Sequence, residues 1–580
     1  MRLALAQVNT TVGDLEGNLS VILRNLRKAE EKGADLVCFP ELALSGYPPE
    51  DLLLKRDFLV ECRHYLRELA REVGEVPVVV GTPYFADDVY NAAAFLHRGE
   101  VSALYFKNFL PNYGVFDENR YFVPGERNLV LDIGGVRIGV TVCEDAWYPG
   151  GPLESEVAYG GAEVVINISS SPYQRGKHPL RENMLRARAA DSHAVIAYVN
   201  AVGGQDELVF DGGSMIVHPV EGMIACAPRF QEHVLFYDVD VSGLWARRIM
   251  VPMYRYVREG AFRRPTTVLE VDGQRGPSRG ERPALLPDGK SDLGDEEEIL
   301  QALLLGLHDY VRKNGFQDVV IGLSGGIDSS LVASLAVMAL GPARVHGVFM
   351  PSRFTSLVSR RCVEKLCAAL GINVEEYDIE AVVDAYRVGA EGALRGRNAE
   401  LALENLQARI RGNLLMSISN SRGWLVLATG NKSELSMGYC TLYGDMAGGF
   451  AVIKDLLKRD VYRLSRYVNF REGRELIPGE IIEREPTAEL REDQKDSDSL
   501  PPYDVLDPIL EDYIESGLTV EEMVRKGRDR DLVEDIVRRV DANEYKRRQA
   551  PVGIKISPRA FGRDWRLPVS KTGARGPVAG

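Results

Sequence analysis

No stretch of about eighteen apolar residues free of charge occurs in the chain, so no membrane-spanning helix is expected. Cysteine is scarce and scattered: seven residues, an odd number, with Cys362 and Cys367 the nearest pair. Four intervening residues and no neighbouring histidine make that pair a poor zinc half-site. The missing disulfide framework points to reduced thiols and a cytoplasmic setting. The eight histidines include no H-E-x-x-H, and neither a C-x-x-C nor an internal repeat is present. Positive charge is in deficit, 70 Lys and Arg against 84 Asp and Glu, for a formal net charge of −14. That balance argues against a nucleic-acid polyanion as main partner, although local basic clusters can still take phosphates. The opening "MRLALAQVNT" reads as a strand. Its apolar part is too short for a signal-peptide core.

What is present is a globular composition, 45% hydrophobic, 27% charged and 8% aromatic, sufficient for sizeable cores. A length of 580 residues exceeds one core and admits about four domains. The first part alternates strands ("RLALAQV", "ADLVCF", "VPVVVGT", "VRIGVTVC", "EVVINIS", "AVIAYVN", "SMIVHP") with helices predicted over 18–32, 57–73 and 180–192. Several of these strands are nearly unbroken apolar runs, the pattern of a sheet covered on both faces. A segment rich in Gly, Pro and charge follows, and 251–295 reads as a linker. Beyond it a helix over 297–314 leads into "DVVIGLS", "RVHGVFMP", "VEEYDI" and "WLVLATG". Strands alternating with helices predict a parallel, doubly wound sheet. The polar "REDQKDSDSLPP" reads as a loop.

The chemistry concentrates in two places. In "VVIGLSGGIDSSLVASLAVMAL" an apolar strand enters a turn of glycines and serines and leaves as a helix. Gly322, Gly325 and Gly326 allow successive N–H groups to converge on an anion, Ser324, Ser329 and Ser330 add hydroxyls, and the helix adds its positive end. This is a phosphate cradle, but not the G-x-x-x-x-G-K-[ST] kind. "DGKS" at 288–291 fails that pattern because Ala284 stands where its first glycine belongs. In "VRIGVTVCEDAW", Cys143 ends a strand and two carboxylates follow at once. A thiol of ordinary pKa, about 8.5, needs a base and a cationic partner to act as a nucleophile. Glu41 in "VCFPELALSGYPPEDL" and Lys107 in "YFKNFLPNYGVFDENRYFVPG" stand just past two other strands and offer both.

"SGGIDS" resembles the pyrophosphate loop of the ATP pyrophosphatases. That resemblance assigns Gly322, Leu323, Ser324, Gly325, Gly326, Ile327, Asp328 and Ser329 to ATP, with Asp328 beside Mg²⁺. "ALENLQARIRGNLLM", "LATGNKSELSMGYCTLYGDMAGG", "PTAELREDQKDSDSLPPYDVLD" and "NEYKRRQAPVGIKISPRAFGRDWR" are similar to segments of the NAD⁺ synthetases. By that resemblance Thr429 contacts ATP, Asn405 and Lys546 contact the deamido-NAD substrate (nicotinate adenine dinucleotide), and Glu434 contacts that substrate or Mg²⁺. The segments around Glu41, Lys107 and Cys143 resemble the carbon–nitrogen hydrolase, or nitrilase, family and its Glu–Lys–Cys triad. The resemblance makes Glu41 the base, Lys107 the stabiliser of the tetrahedral intermediate and Cys143 the nucleophile. It adds Tyr113, Ser171 and Lys177 as L-glutamine-binding candidates and Glu118 as a second carboxylate. The remaining six cysteines have no such context and read as structural.

Together these resemblances imply an α/β protein. Residues 1–250 form a nitrilase-like αββα sandwich that hydrolyses glutamine. Residues 296–580 form a doubly wound, Rossmann-like domain using ATP and Mg²⁺ on deamido-NAD. They also imply ammonia passed inside the protein and a large homo-oligomer such as an octamer. Two rivals are weighed against this reading: the acidic balance and the missing C-x-x-C count against the first, and the intact Glu41, Lys107 and Cys143 against the second. A tRNA-modifying ligase with the same loop predicts a basic face, and "YKRRQAP" (545–551) is the densest basic run near the C-terminus. An assembly protein with a degenerate hydrolase module predicts a broken triad.

Overall fold

The structure, a computed structural model, describes residues 1–251, 264–271, 293–390, 398–492 and 494–571, with the single residues 259, 285 and 392. The chain divides into two compact units, one of Met1–Gln205 with Val209–Leu293, the other of Gly294–Gly580 with Asp206–Leu208.

The first unit stacks two sheets face to face. One contains β1 (Arg2–Gln7), β2 (Leu36–Cys38), β3 (Val78–Phe85), β4 (Val89–His97) and β5 (Glu100–Phe106). The other contains β6 (Asn128–Ile133), β7 (Val136–Val142), β8 (Val164–Ser169), β9 (Val195–Asn200), β12 (Met215–His218) and β13 (Gly222–Cys226), the short pair β10 (Val202–Gln205) and β11 (Leu208–Asp211) standing apart. With β14 (His233–Asp238) and β15 (Thr266–Val271), the strand orders are β14-β1-β2-β3-β4-β5 and β13-β12-β9-β8-β7-β6-β15. One core lies between the sheets: Leu3, Leu5 and Phe95 face Ile138, Ile166 and Val199. The outer face of the first sheet is covered by helices Leu15–Glu31 and Arg56–Glu72, and that of the second by Pro152–Gly160 and Lys177–Ser192. This is the expected helix–sheet–sheet–helix sandwich, and it explains why so many strands are apolar on both sides.

Two readings need correction. The segment read as a linker contains β15, an edge strand that pairs in parallel with β6 from Thr266↔Asn128 to Val271↔Ile133. Its alternating T-T-V-L-E-V suits a strand, and the surrounding Gly and Pro masked it. Residues 252–258, 260–263, 272–284 and 286–292 of that segment lie outside the described residues. The helix predicted from 180 starts at Lys177, because Pro179 falls in its first turn, where a missing N–H costs nothing.

The second unit is one parallel sheet of β16 (Val319–Leu323), β17 (Val345–Phe349), β18 (Asn373–Glu376), β19 (Leu425–Ala428) and β20 (Phe450–Ala451), ordered β18-β17-β16-β19-β20. The chain moves outward one way from β16 to β18, then returns to β16's other side as β19. Such a switch point leaves a crevice at the carboxyl ends of the central strands.

Candidate active sites

In the first unit, four loops meet where strands end. Glu41 follows β2, Lys107 follows β5, Cys143 follows β7 and Ser170 follows β8. Lys107 Nζ lies 2.7 Å from Glu41 Oε1 and 2.8 Å from Glu118 Oε2, with the Lys107 and Glu41 side chains fully buried. Asn91 Nδ2 donates to Glu41 Oε1 at 2.7 Å and the Ser170 amide to Oε2 at 2.9 Å, so both oxygens of Glu41 are aimed. Tyr47 OH donates to Glu118 Oε1 at 2.9 Å.

Cys143 opens a short 3₁₀ turn, Cys143–Ala146, with φ of +44°. A left-handed backbone is strained for a residue with a side chain, and such strain persists where the surroundings enforce it. Here Asp145 enforces it: its carboxylate takes the amides of Val142, Asn108 and Phe109 at 2.9–3.1 Å and Tyr105 OH at 2.7 Å.

The charges sort cleanly. Burial, then the Glu41 charge, push the Cys143 thiol well above its ordinary value, with Lys107 pulling the other way. Burial also opposes charge on Lys107, but Glu118 and Glu41 outweigh it and hold the ammonium well above its usual range. Glu118 is pushed up to about 7 by burial, against Lys107 and with Glu41. A protonated thiol therefore rests beside a carboxylate and a firmly charged ammonium.

Beside the thiol, Tyr113 OH donates to both oxygens of Glu144, at 2.9 and 3.1 Å. The Glu144 carboxyl is raised by burial and feels Lys177. Lys177 donates to Pro172 O at 3.0 Å and sits over the Phe116 ring. The Ser171 amide donates to Asn200 Oδ1 at 2.8 Å. Behind it, buried Arg181 and Arg229 share Asp211, each at 3.1 Å. Tyr113 and Lys177 thus act on Glu144, the residue after Cys143, and Ser171 follows Ser170, whose amide holds Glu41. The sequence reading missed Tyr47, Asn91, Ser170 and Glu144. Only Glu144, adjacent to the cysteine, carried a signal.

In the second unit a cavity of about 290 Å³ opens at the switch point. It is lined by Gly322 and Leu323 at the end of β16 and Ser324 and Gly326–Ser329 after it, by Met350 after β17, and by Thr429 and Glu434 after β19. Gly325 does not line it. At φ +79° Gly325 makes the turn, and a Cβ there would meet Ser359 O at 2.7 Å. The loop is braced by its own serines: Ser329 and Ser330 hydroxyls both donate to Gly326 O, at 3.1 and 2.8 Å. No side chain caps the helix Ile327–Leu340, so its first amides face the loop as an anion site.

Lys458 Nζ bridges Asp328 Oδ2 at 2.6 Å and Glu434 Oε1 at 3.1 Å. Asn431 donates to Asp328 Oδ1 at 2.8 Å while its own Oδ1 caps Glu434 N at 3.0 Å. The Glu434 carboxylate in turn accepts the Asn431 amide at 3.4 Å, so Glu434 is both half of a capping box and a cavity residue. Burial, with Lys458 opposing and Asp328 reinforcing, pushes it up to about 8. Asn405 and Lys546 do not line the cavity. Asn405 Oδ1 accepts from Thr441 Oγ1 at 2.8 Å, and Lys546 Nζ donates to the Gly438 and Cys440 carbonyls, both at 2.8 Å. Both residues hold the turn 438–441, whose Thr441 does line it. Lys458, Asp496, Arg411 and Arg484 also line the cavity and were not anticipated.

The comparisons follow this division. Residues 2–248 match the carbon–nitrogen hydrolase family model and residues 299–550 the NAD synthase model. The glutamine-dependent NAD(+) synthetase of Thermotoga maritima is 50% identical over 98% of both chains. The chain belongs to the glutamine-dependent NAD(+) synthetases. The Aquifex aeolicus member of this family is 46% identical over 98% of this chain and 99% of its own. The solved structure of the Acinetobacter baumannii glutamine-dependent NAD+ synthetase, in complex with adenosine diphosphate, is 37% identical, covers 98% of both chains and superposes with a TM-score of 0.73. Family membership makes this chain a glutamine-hydrolysing ligase, and it removes both the tRNA-modifying and the assembly-protein readings.

Proposed function

We propose that the chain converts nicotinate adenine dinucleotide to NAD⁺ with ammonia released from L-glutamine, splitting ATP to AMP and pyrophosphate. The observation that carries the first half is the buried Glu41–Lys107 contact of 2.7 Å beside a protonated Cys143 thiol. Glu41 takes the thiol proton as Cys143 Sγ attacks the glutamine amide carbon, and returns it to the departing ammonia. Lys107 faces the oxygen that becomes negative. Water then cleaves the thioester and glutamate leaves. Tyr113, Glu144, Ser171 and Lys177 are the groups that hold the amino acid, Glu144 matching its ammonium and Lys177 its carboxylate.

In the second unit the nicotinate carboxylate attacks the α-phosphorus of ATP, the bond to the bridging oxygen breaks, and pyrophosphate leaves against the 322–329 loop. Ammonia then displaces AMP from the acyl-adenylate. Six carboxylates line this cavity (Asp328, Glu434, Asp445, Glu485, Glu489, Asp496) against three cations (Arg411, Lys458, Arg484). Among the described residues there is no cluster of three protein donors for a metal. That donor set fits Mg²⁺, which binds through one or two carboxylates completed by substrate phosphates. Asp328 and Glu434 are the residues to hold it, and when bound it neutralises charge developing on the phosphates. Asn405 and Lys546 serve the dinucleotide by fixing the 438–441 turn.

The same reading includes ammonia handed from one site to the other, a homo-oligomer such as an octamer, and a cytoplasmic setting. All seven cysteines are free thiols, which supports the last. Light scattering tests the oligomer. NAD⁺ formation from glutamine in the presence of ¹⁵N-ammonia tests the transfer: product carrying mainly glutamine nitrogen supports it, and full mixing refutes it.

A further inference from the structure

Three cations line the cavity of the second unit, and their charges are not equally spoken for. Lys458 is matched by Asp328 and Glu434, and Arg484 by Glu489 at 2.6 Å. Arg411 has no carboxylate at ion-pair distance among the described residues. Its Nε donates to Met350 O at 3.0 Å and its Nη2 contacts Ser352 Oγ at 3.5 Å, both neutral acceptors. Burial pulls its pKa down, to about 10, with Glu489 and Glu380 too weak to offset it. The guanidinium is half-buried and its partners are neutral, so its charge is left for an incoming anion.

Its place is set by the fold. Arg411 belongs to the helix Ala399–Arg422, whose Gly412 lets the 443–444 backbone approach: a Cβ there would meet Gly444 O at 2.7 Å. The next turn carries Leu415, which with Met350 stands against Gly322 at the start of the phosphate loop. The contact with Met350 O therefore anchors the guanidinium at the wall beside that loop. Its other N–H groups remain for a ligand, and a planar fork suits a phosphate better than a point charge does.

We propose that Arg411 binds a phosphate of ATP, in the cavity whose loop amides take the pyrophosphate end. This rests on the reading of that cavity as the ATP site. Arg411 then supplies the positive charge that Lys458, held by two carboxylates, cannot give in full. The dinucleotide also carries phosphates, so the two ligands must be separated by experiment.

The test uses the full chain with ammonia as nitrogen source. Wild type, Arg411→Gln and Arg411→Lys are compared for rate against ATP at saturating dinucleotide, and against dinucleotide at saturating ATP. Calorimetry measures ATP binding with dinucleotide absent. The expected result is a rise of about tenfold or more in KM and Kd for ATP in Arg411→Gln. Arg411→Lys should show about a threefold rise, because charge remains but the fork is lost. The dinucleotide KM should change less than about twofold. A rise confined to the dinucleotide KM, or unchanged ATP binding by folded Arg411→Gln, overturns the proposal. If that variant does not fold, Arg411→Lys decides, and an unchanged Kd for ATP overturns it. A wild type that binds no ATP overturns the reading of the cavity instead.

Discussion

Glu41 and Lys107 leave the chain from different strands and meet at 2.7 Å with both side chains withdrawn from solvent. Removing one member of such a pair leaves an uncompensated buried charge, which costs about 3–5 kcal/mol. Lys107→Met strands both Glu41 and Glu118. It is expected to abolish glutamate release and to lower the thermal midpoint of the first unit by roughly 10 °C. A variant that melts like wild type contradicts the structural half of this argument. One that still hydrolyses glutamine contradicts the chemical half.

The Cys143 thiol rests protonated because burial and the Glu41 charge oppose the thiolate. Replacing Glu41 by Gln removes that charge and leaves Lys107 opposed only by burial and the weaker Glu144 and Glu118 charges. Labelling of Cys143 by iodoacetamide, followed by mass spectrometry across pH, is expected to begin at lower pH in Glu41→Gln than in wild type. Glutaminase activity should nevertheless be lost in that variant. An unchanged or higher labelling pH refutes the assigned electrostatics.

Asp211 joins Arg181 and Arg229 beneath Ser171. Burial works against its charge, but the two guanidiniums, Arg181 before Arg229, outweigh burial and hold it at about 2. A folded value below the unfolded one, about 3.9, gives stability that is complete above pH 4. It is lost as pH falls through 2. Asp211→Asn should therefore lower the unfolding free energy at neutral pH by about 3–5 kcal/mol, read from denaturant titration. The difference from wild type should shrink between pH 4 and 2. A constant difference across that range rules out the ionic account.

Asp328→Asn keeps the shape of the phosphate cavity but loses the charge shared with Lys458 at 2.6 Å. NAD⁺ formation from either nitrogen source is expected to fall by about a hundredfold or more, with a higher Mg²⁺ requirement. Full synthesis at ordinary Mg²⁺ would remove Asp328 from the proposed site.

How much of this was legible depended on whether information was local. Strands β1, β2, β3, β7, β8, β9 and β12 show as apolar runs because both faces are covered. The β4–β5 hairpin did not, since "VYNAAAFLH" is alanine-rich and "EVSALYF" mixes polar residues. Both are strands because they pair along their length in the sheet. β14 owes its place to β1, whose partners lie more than 220 residues away. Glu41, Lys107 and Cys143 stood out as words in the sequence, yet their meeting depends on three strands from two sheets. Lys458 begins the helix Lys458–Glu472 and reads as an ordinary surface charge, but only 2% of its side chain is exposed. Nothing local distinguishes it from Arg459 beside it. Asp496 hid in a polar loop for the same reason.

The central claim is that one site frees ammonia and another consumes it. Cys143→Ala removes the nucleophile of the first unit and no residue of the second. NAD⁺ formation by this variant should be measured with glutamine and with ammonia, each at saturating ATP, Mg²⁺ and nicotinate adenine dinucleotide. The account predicts that glutamine-supported synthesis vanishes while ammonia-supported synthesis stays within about threefold of wild type. Loss of both activities in a folded protein, or persistence of the glutamine-supported one, would contradict it.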